Sequence, residues 1–359
     1  MGEFCKGAAL CEGFFIDCAK PILETYFPGL SYSAGLIGYG SDVLGYDDIV
    51  STDHMWGPRF YLFLREEDMD RKVQIFSSLS ENLPYTYRGY SVNFTEPDPG
   101  DCGVQHPEWI SSGTVRPLVF IQTFDGYLTE QLGTADLEHI SPRAWLAFSE
   151  HRLLSLTAGR FYTDALGCGN RVAKIRYYPK DVRLYLIASC WENIAAEQAF
   201  VKRCGDEIGS RLICARICER LMRLCFLYKG VYAPYSKWFG TAFSRLDTDE
   251  RIKQAVAGAL SAGDLLERER LLVQAQALAA GLHNASGLTE RVDYQIENYF
   301  GRDIKVIFAD KLAEAAAREL AGTAFARVPL YGSLSQIGGV ASIADGQNAC
   351  EQIMGLYAP

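Results

Sequence analysis

The sequence predicts an α+β fold, in which a mixed sheet with flanking helices is followed by a helical domain. Short apolar runs of strand character fall at residues 34–38, 59–65 and 118–122, separated by helical patterns or turn-rich segments. After Pro179 the pattern changes to successive 3.6-residue apolar repeats, which are typical of packed helices. At 359 residues the chain is long enough for two domains. We therefore predict an α/β domain over residues 1–178 and a mainly helical domain over residues 179–359.

In the first domain, residues 5–26 have a helical apolar repeat, which Pro21 is expected to end or kink. A fourth strand is predicted over residues 160–164. Residues 84–113 are rich in proline and glycine and are expected to form a long loop or an irregular hairpin. Helices are predicted over residues 125–132, over residues 142–156 and over residues 66–83, the last with Val73, Ile75, Phe76 and Leu79 facing inward.

In the second domain, Pro179 and Asp264 stand where helices are expected to begin. A short strand is predicted near residues 302–308, followed by a helix over residues 311–320. The tail over residues 329–346 is rich in glycine and serine and precedes a short final helix. The main helical patterns cover residues 181–201, 207–228, 237–246, 249–260 and 264–283.

The composition limits the classes of partner and location. The formal net charge is −9, so a long nucleic acid is an unlikely partner, whereas a small anionic ligand with a metal ion remains compatible. No apolar stretch reaches the roughly 20 residues needed to span a bilayer, and no signal peptide is visible. The 11 cysteines include no CxxC pair and are expected to be reduced, mostly buried thiols. We expect a cytoplasmic protein without a membrane segment.

Residues 38–58 concentrate the polar side chains that suit nucleotide chemistry. An apolar run leads into Gly40 and Ser41, and a carboxylate, Asp53, follows about a dozen residues later, before the next apolar run. Glycine lets a phosphate approach backbone N–H groups, and the serine hydroxyl adds a donor. A carboxylate in this position can hold a magnesium ion against phosphate oxygens. This stretch predicts binding of a nucleoside triphosphate with Mg²⁺.

The same residues resemble the nucleotidyltransferase superfamily that includes DNA polymerase beta and the small antibiotic-modifying transferases. The glycine-serine pair, a second glycine at Gly45 and the later Ser51 and Asp53 fit its pattern. Met55 stands where the second metal-binding acid is expected and cannot ligate magnesium. Over most of the chain, residues 51–59, 177–182, 205–210 and 232–240 resemble the family catalogued as domain of unknown function 4037, which is regarded as nucleotidyltransferase-like.

Other residues near the glycine-serine pair have two interpretations each. Asp47 or Asp48 could replace the missing metal ligand, or both could be solvated turn residues. His54 could act as a general base, because its unperturbed pKa lies near neutrality, or it could be a buried hydrogen-bonding residue. Arg59 could reach a phosphate or form a structural salt bridge.

The resemblance also implies a third carboxylate, from a later strand, that deprotonates the acceptor hydroxyl. A general base needs only to lie within hydrogen-bonding reach of that group. Asp164, at the end of the strand predicted over residues 160–164, and Asp125, after the strand over residues 118–122, are both candidates. We prefer Asp164, because Gly167 opens a turn beside it.

The helical domain supplies a second group of candidates. Lys237 lies in an aromatic loop with Tyr235, where rings can stack on a base and the lysine can hold phosphates. The resemblance implies such a lysine in the helical domain. Arg216, Arg220 and Arg223 recur at i, i+4 and i+7 and line one helix face, which is usually a solvated face.

The expected function is a magnesium-dependent nucleotidyltransferase. It would move a nucleoside monophosphate from a nucleoside triphosphate, ATP foremost, to a small acceptor with a hydroxyl or amine group. Two alternatives remain open. Met55 favours a protein that binds a nucleotide or metabolite without transfer, and His54 would favour metal-independent acid–base chemistry on a small molecule.

Overall fold

The computed structural model confirms the α+β class and describes residues 4–52, 55–203, 205–337 and 353–357. A mixed four-stranded sheet with flanking helices comes first, and a largely helical region follows. The chain divides into two compact units. The first unit comprises the chain up to His139 together with Arg152–Arg176, and the second comprises Ile140–His151 together with the chain from Tyr177 onward. The domain boundary near residue 178 stays a prediction.

The mixed sheet of the first unit contains β1 (Tyr32–Leu36), β2 (Arg59–Leu64), β5 (Leu118–Thr123) and β6 (Arg160–Asp164), in the order β5-β2-β1-β6. Strand β1 is antiparallel to both β2 and β6, whereas β2 and β5 are parallel. All six residues of β2 are buried, as expected for a central strand covered on both faces. A separate two-stranded sheet is formed by β3 (Thr86–Tyr87) and β4 (Tyr90–Ser91).

These directions give the sheet two chemically different edges. The carboxyl end of β1 meets the first residues of β2, β5 and β6, because Leu36 pairs with Arg160 and Arg59 pairs with Leu118. At the opposite edge, the start of β1 meets the end of β6, where Ser33 pairs with Asp164. The glycine-serine turn follows β1 and therefore lies at the first of these edges.

The N-terminal helix continues past Pro21, so of the two expected effects of this proline, an end or a kink, the end of the helix is wrong. It consists of α1 (Gly7–Phe14), a π-helical turn (Phe15–Ala19) and α2 (Lys20–Tyr26). A proline ring normally clashes with the carbonyl four residues earlier. The wider π turn contains that residue, Asp17, and leaves room for the ring.

The helix predicted over residues 66–83 begins later than expected. Residues Glu66–Arg71 form a 3₁₀ helix, and α3 covers Lys72–Asn82. Ile75 and Leu79 are buried as predicted, but Val73 is 75% exposed, which contradicts its assignment to the inward face. Val73 precedes Ile75 by only two positions within α3, which puts these two side chains on opposite faces of the helix. The short antiparallel pair β3–β4 and a 3₁₀ turn (Pro99–Asp101) confirm an irregular hairpin within residues 84–113.

The single helix predicted over residues 142–156 is wrong, because the chain breaks there. The structure has α4 (Phe124–Leu132), α5 (Pro142–Ala147) and α6 (Glu150–Thr157), with Phe148 extended between the last two. The backbone N–H of Glu150 donates to Ser335 Oγ at 2.9 Å, a partner far away in the sequence. This long-range bond replaces the helical bond that a continuous helix would make. The first unit ends with α7 (Cys168–Val172) and a 3₁₀ turn (Ala173–Ile175).

The second unit consists mainly of helices. Asp206, Asp249 and Asp264 cap three of them by accepting bonds from backbone N–H groups of the first turn. The predicted strand near 302–308 is shorter than expected, because β7 (Glu297–Asn298) pairs with β8 (Lys305–Val306) only. The helices are α8 (Lys180–Glu197), α9 (Phe200–Arg203), α10 (Glu207–Lys229), α11 (Ser236–Arg245), α12 (Glu250–Ser261), α13 (Leu265–Ser286), α14 (Asp310–Arg318) and α15 (Leu334–Ile337).

Three further predictions concern the tail, the cysteines and membranes. Most of the predicted glycine- and serine-rich tail lies outside the described residues, and Gly355–Tyr357 form a 3₁₀ turn. Six of the described cysteines are buried, Cys102 is exposed, and no disulfide joins any two of those described. Across the described ranges, no helix combines the length and apolar character needed to cross a bilayer.

Candidate functional site

The glycine-serine turn follows β1 and presents backbone donors. Gly40 has a φ of +118°, and a Cβ at this position would lie 2.1 Å from Asp42 Oδ1, so only glycine fits here. The carbonyl of Ser41 accepts bonds from the N–H groups of Tyr46 and Asp47, at 2.8 and 3.2 Å, which closes the turn. Within the described part of the chain, the N–H groups of Gly40 and Ser41 donate to no protein acceptor. These two donors are available to an anion.

Arg59 lies beside this turn and forms a buried ion pair with Asp42. The Nη2 to Oδ1 distance is 2.7 Å, and both side chains are only 1% exposed. Nη2 also donates to the carbonyl of Tyr39 at 2.9 Å, and the guanidinium lies 4.4 Å from the centre of the Tyr39 ring. Burial alone lowers the pKa of Arg59, but the Asp42 carboxylate and other nearby groups raise it more, so the net shift is upward. The structure thus brings Arg59 to the turn with its charge directed at Asp42.

Asp47 and Asp48 have different structural roles. Asp47 is buried, and its Oδ2 accepts bonds from the N–H of Gly7 at 2.7 Å and from Trp56 Nε1 at 3.3 Å. Asp48 is exposed, and its Oδ1 accepts bonds from the N–H groups of Val50 and Ser51, both at 2.9 Å. Backbone bonds from Ser51 lower the pKa of Asp48. Asp48 therefore forms an Asx turn of the kind that begins short loops.

The predicted metal ligand Asp53 and the predicted base His54 lie outside the described residues. Met55 is described and has a φ of +45°, a left-handed conformation uncommon for a side chain of this size. Among the residues that the structure describes, no three histidine, cysteine, aspartate or glutamate side chains could together hold a metal ion. Because Mg²⁺ is usually held by one or two carboxylates together with substrate phosphates, the assignment of Mg²⁺ to Asp53 and Asp48 stays a prediction.

Asp164 lies at the edge of the sheet opposite to the glycine-serine turn. Its Oδ1 accepts bonds from Ser33 Oγ at 2.7 Å and from the N–H of Cys168 at 2.8 Å, and its Oδ2 accepts from the N–H of Gly169 at 2.9 Å. Ser33 precedes Leu36 by three residues on β1, so Asp164 is about 10 Å from the end of β1 that leads into the turn. The structure does not bring Asp164 to Gly40 and Ser41. The other candidate, Asp125, is on the same edge as Asp164, and it pairs with Arg171 at 2.5 Å.

In the second unit, Tyr235 and Lys237 stand at the start of α11. The Tyr235 ring lies 4.5 Å from the His151 ring, centre to centre. Lys237 is exposed, and its Nζ lies 5.3 Å from the centre of the Trp238 ring. The ammonium of Lys237 therefore lies beside an aromatic ring, and the phosphate-binding role of this loop stays a prediction.

The sequence interpretation missed Glu150, which fixes this loop. Its Oε1 accepts a bond from the N–H of Ala233 at 3.0 Å, and its Oε2 lies 3.4 Å from Arg223 Nη1. Burial raises the pKa of Glu150, although Arg223 and the Ala233 N–H oppose this shift. The bond joins residues 83 positions apart, so no local pattern could reveal it.

The arginine stripe on α10 is engaged within the second unit. Arg216 pairs with Glu197, with Nη2 2.5 Å from Oε1. Arg220 Nη1 donates to the carbonyl of Gln336 at 2.5 Å, and Arg223 pairs with Glu219 at 3.0 Å in addition to Glu150. These contacts favour a structural role for the stripe.

Comparison with known proteins supplies one match. The family model described as "Domain of unknown function (DUF4037)" matches residues 145–239. This stretch contains the segments 177–182 and 205–210 and nearly all of 232–240, which the sequence analysis assigned to that family, but not 51–59. No curated protein matches the chain. Residues 145–239 therefore constitute a DUF4037 domain.

Proposed function

We propose that this protein is a nucleotidyltransferase that moves a nucleoside monophosphate from a nucleoside triphosphate, ATP foremost, to a small hydroxyl- or amine-bearing acceptor. Its superfamily would be that of the nucleotidyltransferases, and Mg²⁺ would be required through Asp53. The net charge of −9 favours a small acceptor over a long nucleic acid. A cytoplasmic location is part of the proposal.

The observation that carries the proposal is the pair of backbone donors at Gly40 and Ser41. They occur where β1 ends, at the same edge of the sheet as the start of β2. The resemblance expects this order: a strand, a glycine-serine turn that holds phosphate, and an acid before the next strand. Phosphoryl transfer depends mainly on positioning and on stabilising charge, for which fixed backbone donors are suited.

The other proposed site residues, Lys237, Tyr235 and Arg59, differ in how freely their side chains could contact the nucleotide. Lys237 is exposed and is proposed to hold a phosphate, with Tyr235 stacking on a planar group. Arg59 Nη2 donates to the Asp42 carboxylate and to the Tyr39 carbonyl, so a bond from Arg59 to phosphate would use Nε or Nη1, which are buried and have no partner among the described residues. Its supporting role is to hold the backbone of the turn, through the Tyr39 carbonyl.

The first test is calorimetric titration of ATP into the full chain, with and without Mg²⁺. We expect magnesium-dependent binding that is weakened by Ser41→Ala, by Asp53→Asn and by Lys237→Ala. Asp70→Asn is the matched control for Asp53→Asn, because Asp70 is an exposed aspartate of the first unit away from the turn. If no nucleoside triphosphate binds at any Mg²⁺ concentration, the proposed function fails.

Met55 favours a second candidate, a protein that binds the nucleotide but does not transfer it. Its thioether occupies the position of an acid that would hold the metal, and sulfur is a poor ligand for magnesium. Incubation with ATP labelled at the α-phosphate, followed by measurement of the label transferred to the acceptor, separates the two functions once acceptors are supplied. Under the binding-only function we expect no turnover from the natural sequence and magnesium-dependent turnover from Met55→Asp. Turnover by the natural sequence would support the transferase.

A further inference from the structure

A groove of about 430 Å³ in the first unit has walls made of aromatic rings. The rings belong to Phe4, Trp56, Tyr90 and Trp109, and Arg88 lies at the same groove. Small-molecule sites in proteins typically have volumes of about 300–1,000 Å³. The groove therefore has the size and the lining of a site for an organic ligand.

One wall of the groove is fixed before any ligand arrives. Trp56 is only 5% exposed, and its Nε1 donates to the buried Asp47 carboxylate at 3.3 Å. Its ring stacks on Phe4, with 5.6 Å between centres, and meets Tyr90 edge-on at 5.1 Å. The Tyr90 hydroxyl accepts a bond from the N–H of Cys5 at 3.2 Å. Rings held in this way bind a planar group with little loss of side-chain entropy.

A further lining residue, Trp109, exposes an unusually large apolar ring. It is 66% exposed, although indole is among the side chains that gain most from burial. A tryptophan on the surface of a groove is typical of sites whose partner covers it on binding.

Strained backbone positions at the groove also indicate a functional site. Arg88 and Gly89 form the two-residue turn between β3 and β4, with φ values of +47° and +83°. This turn requires positive φ at both positions and normally uses asparagine, aspartate or glycine at the first. Met55 also has positive φ, and it precedes the groove residue Trp56. Strained residues of this kind are concentrated at functional sites.

The polar groups along the groove define the ligand further. Thr52 Oγ1 donates to the carbonyl of Ile49, and Ser91 Oγ donates to that of Glu108, at 3.1 and 2.7 Å. The guanidinium of Arg88 is half exposed and lies 3.7 Å from Asp17, a loose contact in solvent. The described residues that line the groove thus include stacking surfaces and the guanidinium of Arg88.

We propose that this groove binds a planar aromatic ring with an anionic substituent, and that this ring belongs to the acceptor of the transfer reaction. The ring would stack between Trp109 and the wall formed by Trp56 and Tyr90, with the anion toward Arg88. The assignment to the acceptor rests on the proposed function, whereas binding of the ring does not. Two of the lining residues, Thr52 and Trp56, are close in sequence to Asp53 and His54, which are proposed to react.

The test uses 1-naphthaleneacetate as the probe, titrated into the full chain and followed by tryptophan fluorescence and calorimetry. We expect saturable binding that Trp109→Ala weakens roughly tenfold, as for loss of one stacking partner. Trp109→Phe keeps a ring and should retain most of the affinity, and Arg88→Gln should weaken binding of the anion. Ile16→Ala, an exposed apolar residue of the same unit outside the groove, is the matched control and should change nothing.

Several results would overturn the proposal. If cyclohexaneacetate binds as tightly as the aromatic probe, or if Trp109→Ala leaves the affinity unchanged, the groove does not select aromatic rings. A concentration-dependent dimer that Trp109→Ala abolishes in sedimentation would assign the groove to a second copy of the chain. Competition between ATP and the probe would assign it to the nucleobase and refute the acceptor. Probe binding without any ATP binding would refute the transferase and leave the aromatic site standing.

Discussion

The buried ion pair between Asp42 and Arg59 allows a quantitative test of what holds the glycine-serine turn. Both side chains are 1% exposed, and the Asp42 carboxylate accepts one further bond, from the N–H of Val43 at 3.0 Å. Arg59→Met would leave that carboxylate buried with the amide bond alone. Breaking a buried pair from one side typically costs about 3–5 kcal/mol. We expect a loss of this size in the first unit, because no other described cation pairs with Asp42.

Hydrogen exchange measured by mass spectrometry is the suitable assay, because it reports each unit separately. Peptides from β1 and β2 should open about 100- to 4,000-fold more often in Arg59→Met, since 1.4 kcal/mol corresponds to about a factor of ten. Peptides from α10 and α13 should keep their protection. Arg65→Met, at an exposed arginine that follows β2, is the control and should cost less than about 1 kcal/mol.

Replacing both Asp42 and Arg59 tests whether the two side chains are energetically coupled. Within the described residues, Asp42 Oδ2 and Arg59 Nε and Nη1 have no protein partner, so the pair does not satisfy all of its own polar groups. Replacing both residues, as in Asp42→Leu with Arg59→Met, should therefore cost less than either single variant. If the two single losses simply add, the pair is not coupled and the explanation is refuted.

Three other predictions concern a helix cap, a buried histidine and a glycine in the sheet. Asp164→Ala removes the carboxylate that caps α7, and we expect exchange protection at the end of β6 to fall by about 1–2 kcal/mol. ATP affinity should stay unchanged, because Asp164 lies at the edge of the sheet opposite to the glycine-serine turn. His283 is buried, and burial lowers its pKa to about 4. The contribution of the neutral imidazole to the free energy of unfolding should therefore be complete above pH 6.5, and up to about 3 kcal/mol should be lost as the pH falls to 4. Denaturant-induced unfolding of the full chain at each pH measures this loss. Gly35→Ala would place a Cβ 2.2 Å from the Arg160 carbonyl oxygen, so β6 would have to move away from β1. We expect this variant to lose at least about 2 kcal/mol of stability, measured from the exchange of the β1 and β6 peptides.

Each of these three predictions has its own control. Asp164→Asn keeps an acceptor and should lose less than Asp164→Ala; equal losses would mean that the cap is unimportant. The acid-dependent loss should shrink in His283→Gln, and an unchanged pH profile would assign it to other groups. Gly240→Ala, at a helical glycine with open space around it, should be neutral or stabilising. A comparable loss there would show that the cost at Gly35 is not steric.

The strands were predictable because each signal lies within a few residues. The run that includes Leu118 and Ile121 is apolar and bounded by turn residues, and it forms β5 within one residue of the expected limits. The inward face of α3 could be predicted only from the exact helical period, because Val73 and Ile75 are two positions apart and lie on opposite faces. The break before α6 was not predictable from nearby residues, since the N–H of Glu150 donates to Ser335, far along the chain.

The site was predictable in its parts more than in its arrangement. The glycine-serine turn and the neighbouring Arg59 follow from the order of residues between two strands. A turn role was one of the two interpretations given for Asp48, and the serine three positions later, which matches an Asx turn, favours that role. The position of Asp164 could not be predicted, because it depends on the register between β6 and β1. A carboxylate at a strand end belongs to one edge or the other only once the strand direction is known.

The order in which the two units receive their residues has a consequence for synthesis on the ribosome. Residues Ile140–His151 belong to the second unit but emerge before β6, the last strand of the first. The bonding partners of Glu150, at Arg223, Ala233 and Ser335, are made much later. At about 5–20 residues per second, this segment waits roughly 10–40 s for Ser335. The sheet is therefore completed while α5 and the first turn of α6 still lack these partners, and a fragment that ends near residue 178 would keep them in that state permanently.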